Sequence, residues 1–446
     1  MQGQVPLRER RNGRSREGYS CNLALIGQYQ GEGATWVNPS YGDCAYMGTS
    51  LGGLLTKKSP GTQVVDVSDP RAPELSGNLD SPAMLTDTWE TLKVNESRKL
   101  LAGVSVGPAL SGLFFDVYDV SEDCSKPRLL NSFNGTKLTL PANVLGHEGN
   151  WAPDGRTYYA SGLVAGSITA IDTTNPHRPR IVYTGVAGVP ANHGFSFSGD
   201  GNRMYITRLA PAGVDIIDTS AIQRRDPLPV LRHVGSVTWS DGVITQHTIP
   251  ITKDGRPYLI AVDEFGSGGV KFIDISDERD PVVTDRLRLE INTPAHAAER
   301  RADTTGNGLF GYDAHYCSVN REYEPSRLAC GFFNSGVRVF DITELSAPKE
   351  IAYFNPPAQV GQSQRLQGSE HAAGIVTGRL SGLALSDIAN GNIGDPFRLA
   401  EALKPANLTA DWCSSPPRFV RSDQLWVTCQ DNGFMVLRFT NGVSGQ

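Results

Sequence analysis

The stretch VKFIDISDERDP (270–281) reads as a β-branched and aromatic strand that ends in Asp, turns through polar residues and Pro, and leads into another short strand. The pattern recurs as TQVVDVSDPRAP (62–73), LFFDVYDVSEDCSKP (113–127), SITAIDTTNPHRP (167–179), VDIIDTSAIQRRDP (214–227) and VRVFDITELSAP (337–348), and FMVLRF (434–439) is a truncated last copy. The recurring Asp66, Asp119, Asp172, Asp218, Asp274 and Asp341 need no catalytic role. An Asp side chain at this place caps a tight turn by accepting nearby backbone N–H groups.

Upstream of these segments lie the strands YYASG (158–162), MYITRL (204–209), YLIAVDE (258–264) and LACGFF (328–333), and ahead of each stands one more strand. The unit is therefore four strands, A to D, recurring about every 45–60 residues, which is the spacing of propeller blades. Strand A starts near Trp36, Asp87, His147, His193, His247, His315 and Asp411, which makes seven blades. The last copy stops after strand C, while CNLALIGQY (21–29) reads as an isolated strand D. The N-terminal strand is expected to complete blade 7 and close the ring, leaving no open sheet edge. The expected organisation is a flexible segment over 1–20 and one all-β, seven-bladed propeller over 21–446. A partly helical insertion at 355–409 would lie over the channel mouth before the last blade.

The segments GVRVFDITELSAP and GVKFIDISDERDP resemble the LVIVD repeat of bacterial seven-bladed β-propellers. The resemblance covers nearly the whole chain apart from the first 20 residues and one insertion. It implies the propeller fold and a surface-associated role, and says little about chemistry, because a fold does not dictate an activity.

Bulk properties exclude several classes. Among 446 residues the formal net charge is −6, with acidic and basic residues interspersed, so no basic stripe invites nucleic acid. No apolar run is long enough for a membrane span. The basic, polar start MQGQVPLRERRNGRSREGYS has no signal-peptide core, so the expected location is cytoplasmic, or secreted or periplasmic if a signal has been removed. Seven cysteines form no CxxC pair, which argues against a thiolate zinc site. Cys317 with Cys330 and Cys413 with Cys429 flank predicted hairpins, either as disulfides of an exported protein or as buried thiols.

Four of the eight histidines hold one repeat position: LGHEGNWAPDGR (His147), ANHGFSFSGDG (His193), TQHTIPITKDGR (His247) and DAHYCSVNREY (His315). For the first three, a glycine follows eight residues later, at Gly155, Gly201 and Gly255. Strand A of a propeller blade is innermost, so these side chains are expected at one channel mouth. Asp87 and Asp411 hold the matching positions on blades 2 and 7, and blade 1 offers only Trp36. Imidazoles with flanking carboxylates suit a divalent transition metal, Fe or Mn in the first place, with Cu, Ni or Zn as alternatives. Glu148, Asp263 and Glu264 are expected to orient the ligands from behind.

Four further residues are candidates for acid–base or polar roles. Tyr316 and Arg208 border the mouth on blades 6 and 4, and Glu370 and His371 fall in the 355–409 insertion. His177 and His233 read as structural or solvated, and His296 falls in the long connection 290–312 leading into blade 6, over the channel mouth. The sequence thus points to a metal-dependent enzyme acting on a small organic substrate by oxidoreductase/oxygenase-type or lyase/isomerase-type chemistry. Histidine-rich axial sites also serve carotenoid-cleaving oxygenases and oligogalacturonate lyases, which are similar in architecture but share no motif with this chain. The alternative is a non-catalytic surface or scaffold propeller whose axial histidines are structural. A Ser hydrolase is disfavoured because no GxSxG is present. Substrate and oligomeric state are not legible.

Overall fold

The computed structural model describes residues 8, 12, 17–48, 60–105, 112–136, 139–144, 147–162, 166–188, 191–266, 268–296, 298, 311–357, 366 and 413–446. Seven antiparallel sheets follow one another along the chain, and together they form the seven-bladed β-propeller that the repeat implies. Blade 3 is typical. Its strands Glu148–Trp151, Thr157–Ser161, Ser167–Asp172 and Arg180–Val186 pair in sequence order from the axis outward. In strand C the residues alternate between the two faces of the blade, and both faces pack on neighbouring blades, so the strand reads as an almost continuous apolar run. Strand D faces solvent on one side, and its burial alternates accordingly.

All six recurring Asp residues cap their turns. Each accepts the backbone N–H two residues ahead, at Ser68, Ser121, Thr174, Ser220, Ser276 and Thr343, over 2.8–3.0 Å. The strand following the turn then pairs back on strand C. Its register slips by one residue at the same place in blades 1, 3, 4, 5 and 6, between Val64/Val65, Ala170/Ile171, Ile216/Ile217, Phe272/Ile273 and Val339/Phe340. Such a bulge sharpens the local twist of the outer edge.

The N-terminal segment closes the ring. Leu23–Tyr29 pairs antiparallel with Phe434–Phe439, from Leu23 opposite Phe439 to Tyr29 opposite Phe434, and forms the outer strand of blade 7. The predicted strand 21–29 is broken at Asn22, which adopts a left-handed φ of 59°. Ahead of that break, Tyr19–Cys21 adds a fifth strand to blade 6 by pairing with Lys349–Asn355. One segment therefore stitches two blades together.

Three disulfides reinforce the ring. Cys317–Cys330 joins directly paired residues of strands A and B in blade 6. Cys413–Cys429 joins the segment leading into strand A of blade 7 to the residue just after its strand B, and Cys44–Cys124 ties blade 1 to the turn at the outer edge of blade 2. The first two settle the alternative left open by the hairpin spacing; the third had no local spacing to signal it. Among the described residues, no helix is long and apolar enough to cross a membrane.

Candidate metal centre

Pairing at the head of strand A decides which side chains reach the axis. In blade 3, Glu148 sits opposite Ser161, and the N–H of the preceding His147 donates to the same Ser161 carbonyl, so His147 is an extra residue turned inward. In blade 4, His193 and Gly194 together stand opposite Thr207, between the pairs Asn192–Arg208 and Phe195–Ile206. In blade 6, His315 donates to the Gly331 carbonyl while Tyr316 accepts from the Gly331 N–H. Blade 2 repeats the device. Thr91 bonds both backbone groups of Val104 through its hydroxyl, and Glu90 is the residue just before it.

Blade 5 departs from the sequence register. Thr245 pairs with Asp263 and His247 with Val262, so the extra, inward-turned residue is Gln246. The glycine spacing misleads because the A–B turn of blade 5 is only Asp254-Gly255, between Lys253 and Arg256. Blades 3 and 4 turn through four residues, from Ala152 to Thr157 and from Ser198 to Arg203. The matching positions of blades 2 to 6 are thus Glu90, His147, His193, Gln246 and His315.

These residues converge in a buried cluster. Nε2 of His147 lies 2.8 Å from Nε2 of His193, and Oε2 of Glu90 lies 3.2 and 3.7 Å from the two nitrogens. The three donor atoms lie within 4.8 Å of one another. An ion bound at about 2.0–2.2 Å needs donors about 3.0–3.5 Å apart, so Glu90, His147 and His193 fit a divalent transition metal with little movement. Oε2 of Glu90 is buried and has no hydrogen-bond partner, although leaving such an atom unmatched is costly. On the far side, Nε2 of His315 is 3.0 Å from Oε1 of Glu90 and 3.5 Å from Oε1 of Glu264.

Backbone carbonyls set the imidazole tautomers. The Nδ1–H of His193 donates to the Gln246 carbonyl at 3.1 Å, and that of His315 to the Ser414 carbonyl at 2.9 Å. Nε2 is therefore the nitrogen that each turns to the carboxylates, and once free of its proton it is the one that ligates metal. Lone pairs and carboxylate oxygens at such distances repel unless a cation or protons lie between them. The pocket accordingly attracts positive charge. Burial alone would strip the His315 proton, yet Glu264 and Glu90 outweigh it and push its pKa up to about 10. His193 is raised likewise, against its burial, by Glu90, Glu148 and Glu264. Burial would raise the carboxyl of Glu90, but His193, His147 and His315 hold it well below the usual range.

The surroundings are aromatic on one side and polar on the other. The Trp36 ring lies 5.1 Å from that of His315, Trp89 lies 5.7 Å from His147, and Phe333 lies 5.0 Å from His315. Opposite, Glu148 sits between Lys93 (3.4 Å) and Nδ1 of His193 (3.5 Å). The carboxylate of Glu148 lies over Gly194, where a Cβ would meet its Oε2 at 2.1 Å. Tyr316 packs between the rings of His247 and His315, with the Lys93 ammonium 5.1 Å from its centre. Burial and the charges of Glu148 and Glu90 keep its phenol from ionising.

Of the residues singled out from sequence, the fold brings His147, His193, His315, Glu148, Glu264 and Tyr316 to the cluster. It turns His247 away. Its Nε2 accepts the Cys317 N–H at 3.3 Å, and burial, with Lys93 and His315, pushes its pKa down to about 3. Asp87 accepts the Trp89 N–H at 2.7 Å in a turn, three residues short of the axial position. Asp263 faces the other side of its strand and binds Lys271 at 2.8 Å, Trp239 and Thr245. Arg208 pairs with Asp215 at 3.3 Å. Asp411, Glu370, His371 and most of the 355–409 insertion lie outside the described residues. Glu90 and Gln246 were missed. Counting back from the A–B turn of blade 2, rather than seeking a residue type, would have found Glu90.

No family model matches the chain, and no curated protein matches it in sequence. Solved structures do resemble it. The β-propeller domain of Cps50 (Swd1) from Myceliophteria thermophila has a TM-score of 0.53 at 9% identity, over 94% of this chain and 100% of that one. The periplasmic gluconolactonase PpgL of Pseudomonas aeruginosa gives 0.48 at 14% identity over 70% and 82%, and a Lactobacillus plantarum protein gives 0.49 at 14% over 69% and 81%. Such identities speak for fold alone. The chain is similar to seven-bladed β-propellers in structure, while its likeness to the LVIVD repeat rests on the sequence pattern.

Proposed function

We propose that the protein is a metal-dependent enzyme that acts on a small organic substrate at the axial mouth of the propeller. The single observation that carries this reading is the convergence of Glu90 Oε2, His147 Nε2 and His193 Nε2. Two imidazoles and one carboxylate are the donor set that leaves coordination positions open on iron(II), and manganese suits the same set. This favours oxidoreductase or oxygenase chemistry over elimination or isomerisation. Charge supports it too. Three carboxylates, Glu90, Glu148 and Glu264, face the imidazoles with Lys93 as the neighbouring ammonium, an excess of negative charge that attracts cations. Bound metal would supply a Lewis acid, and a redox centre if it is iron or manganese.

The chain's own residues would hold and orient. Gln246 and Ser414 carbonyls fix the imidazoles, Glu148 adds a second acceptor to the His193 Nδ1–H, and the Trp36, Trp89 and Phe333 rings exclude water from one flank. The three disulfides support residence in an oxidising compartment.

One observation favours the alternative, a non-catalytic surface propeller of the LVIVD-repeat kind. A proton held by His315 between Glu90 and Glu264 satisfies part of the cluster without metal. Elemental analysis of untagged protein separates the two. About one equivalent of iron or manganese, lost in Glu90→Gln and in His147→Ala/His193→Ala with the fold intact by circular dichroism, supports the enzyme. Protein that neither carries nor takes up a transition metal favours the structural ring.

A further inference from the structure

We infer that the axial centre takes a second divalent cation, ligated by His315 and sharing Glu90 and Glu264 with the first; the inference rests on the metal-centre reading above. One ion at His147 and His193 leaves half of the convergent donors unused. The unused half has its own order. Oε2 of Glu90 and Oε2 of Glu264 each lie 3.7 Å from Nε2 of His193. Their Oε1 atoms lie 3.0 and 3.5 Å from Nε2 of His315. Both carboxylates therefore span the same two imidazoles, each turning one oxygen to either side. A carboxylate placed so is a bridge between two ions, which sit about 3.5–4 Å apart in two-metal sites.

The His315 side has the other parts of a ligand set. Its Nδ1–H is engaged by the Ser414 carbonyl, so Nε2 is the nitrogen that points into the cluster, where a metal would replace its proton. The Gln246 amide nitrogen lies 2.8 Å from Oε1 of Glu90 and 3.2 Å from Nε2 of His315, while its carbonyl oxygen is buried without a hydrogen-bond partner. A half-turn of that amide exchanges donor for acceptor in the same volume. The second ion would then have His315 Nε2, Glu90 Oε1, Glu264 Oε1 and Gln246 Oε1, and the first Glu90 Oε2, Glu264 Oε2, His147 Nε2 and His193 Nε2. The same amide serves as a neutral spacer when only one ion is present. The glutamine that the short hairpin of blade 5 turns to the axis thus has a use there.

The test is metal stoichiometry with Mn(II) and, in parallel, Zn(II) on the full untagged chain stripped by chelator. About two Mn(II) ions per chain with an exchange-coupled electron paramagnetic resonance spectrum are expected, falling to about one uncoupled ion in His315→Ala. Glu264→Gln serves as the second variant if His315→Ala does not fold, and it too should abolish the coupling. One uncoupled ion in the wild type, unchanged in His315→Ala, overturns the second site and leaves the one-metal reading standing. No bound ion of either kind in the wild type overturns both.

Discussion

Oε1 of Glu90 and Nε2 of His315 lie 3.0 Å apart although they belong to blades 2 and 6, on opposite sides of the channel. Only a narrow axis lets two such blades touch through side chains, and the carboxylate that makes the contact also reaches His147 and His193. Glu90 is thus the hub of the cluster, and removing its charge should affect every partner together. In Glu90→Gln, metal affinity should fall by at least about 100-fold. Metal at about 100 times its dissociation constant should add about 2.7 kcal/mol to wild-type stability and almost nothing to the variant. Denaturation with and without metal measures this; equal shifts in both proteins would remove Glu90 from the ligand set.

Gly194 makes room for Glu148. A Cβ there would meet Glu148 Oε2 at 2.1 Å and the Gln246 carbonyl oxygen at 2.3 Å, whereas at Gly199 it would meet nothing within 4 Å. Gly194→Ala should therefore cost about 1–3 kcal/mol by urea denaturation and weaken metal binding, with Gly199→Ala as a near-neutral control. Equal effects would show that the crowding at Gly194 is relieved elsewhere.

His247 should make the protein acid-sensitive. Its folded pKa is about 3, because burial disfavours the cation, against about 6.5 unfolded. Above pH 6.5 both states are neutral and the residue has no effect. As pH falls from 6.5 towards 3, the unfolded chain binds a proton that the native state refuses, so stability is lost across that window. His247→Gln should flatten this decline, by about 2–3 kcal/mol at pH 4.5 relative to pH 7. Urea midpoints at the two pH values check it, and parallel slopes would contradict it.

Cys44–Cys124 joins residues 80 apart in sequence, across two blades. Loop-closure entropy puts its contribution at about 4.5 kcal/mol, against about 3 for a bridge closing a loop as short as that of Cys317–Cys330. Cys44→Ser/Cys124→Ser should therefore unfold at distinctly lower denaturant than the wild type under non-reducing conditions. The difference should vanish when both are reduced.

Ring closure should be essential. A chain beginning at residue 30 leaves Phe434–Phe439 without its outer partner and exposes a sheet edge. Loss of cooperative unfolding and association into larger species are expected by denaturation and size-exclusion chromatography. A monomer as cooperative as the intact protein would show that the N-terminal strand is dispensable.

The sequence by itself determined the blade, the number of blades and the closing strand. Those follow from local chemistry repeated in register: an apolar strand, an Asp that caps its own turn, a second strand. It also determined that His147, His193 and His315 meet, since equal places in equal blades converge on the axis. Only the tertiary structure decided which residue of blades 2 and 5 joins them. The choice hangs on one bulged residue at the head of strand A, and a bulge is set by strand pairing and hairpin length, with no residue type to mark it. Shifting by one residue turns a side chain to the opposite face. That is why His247 lies against the backbone of blade 6 while Gln246 and Glu90, in sequence unremarked, stand at the centre.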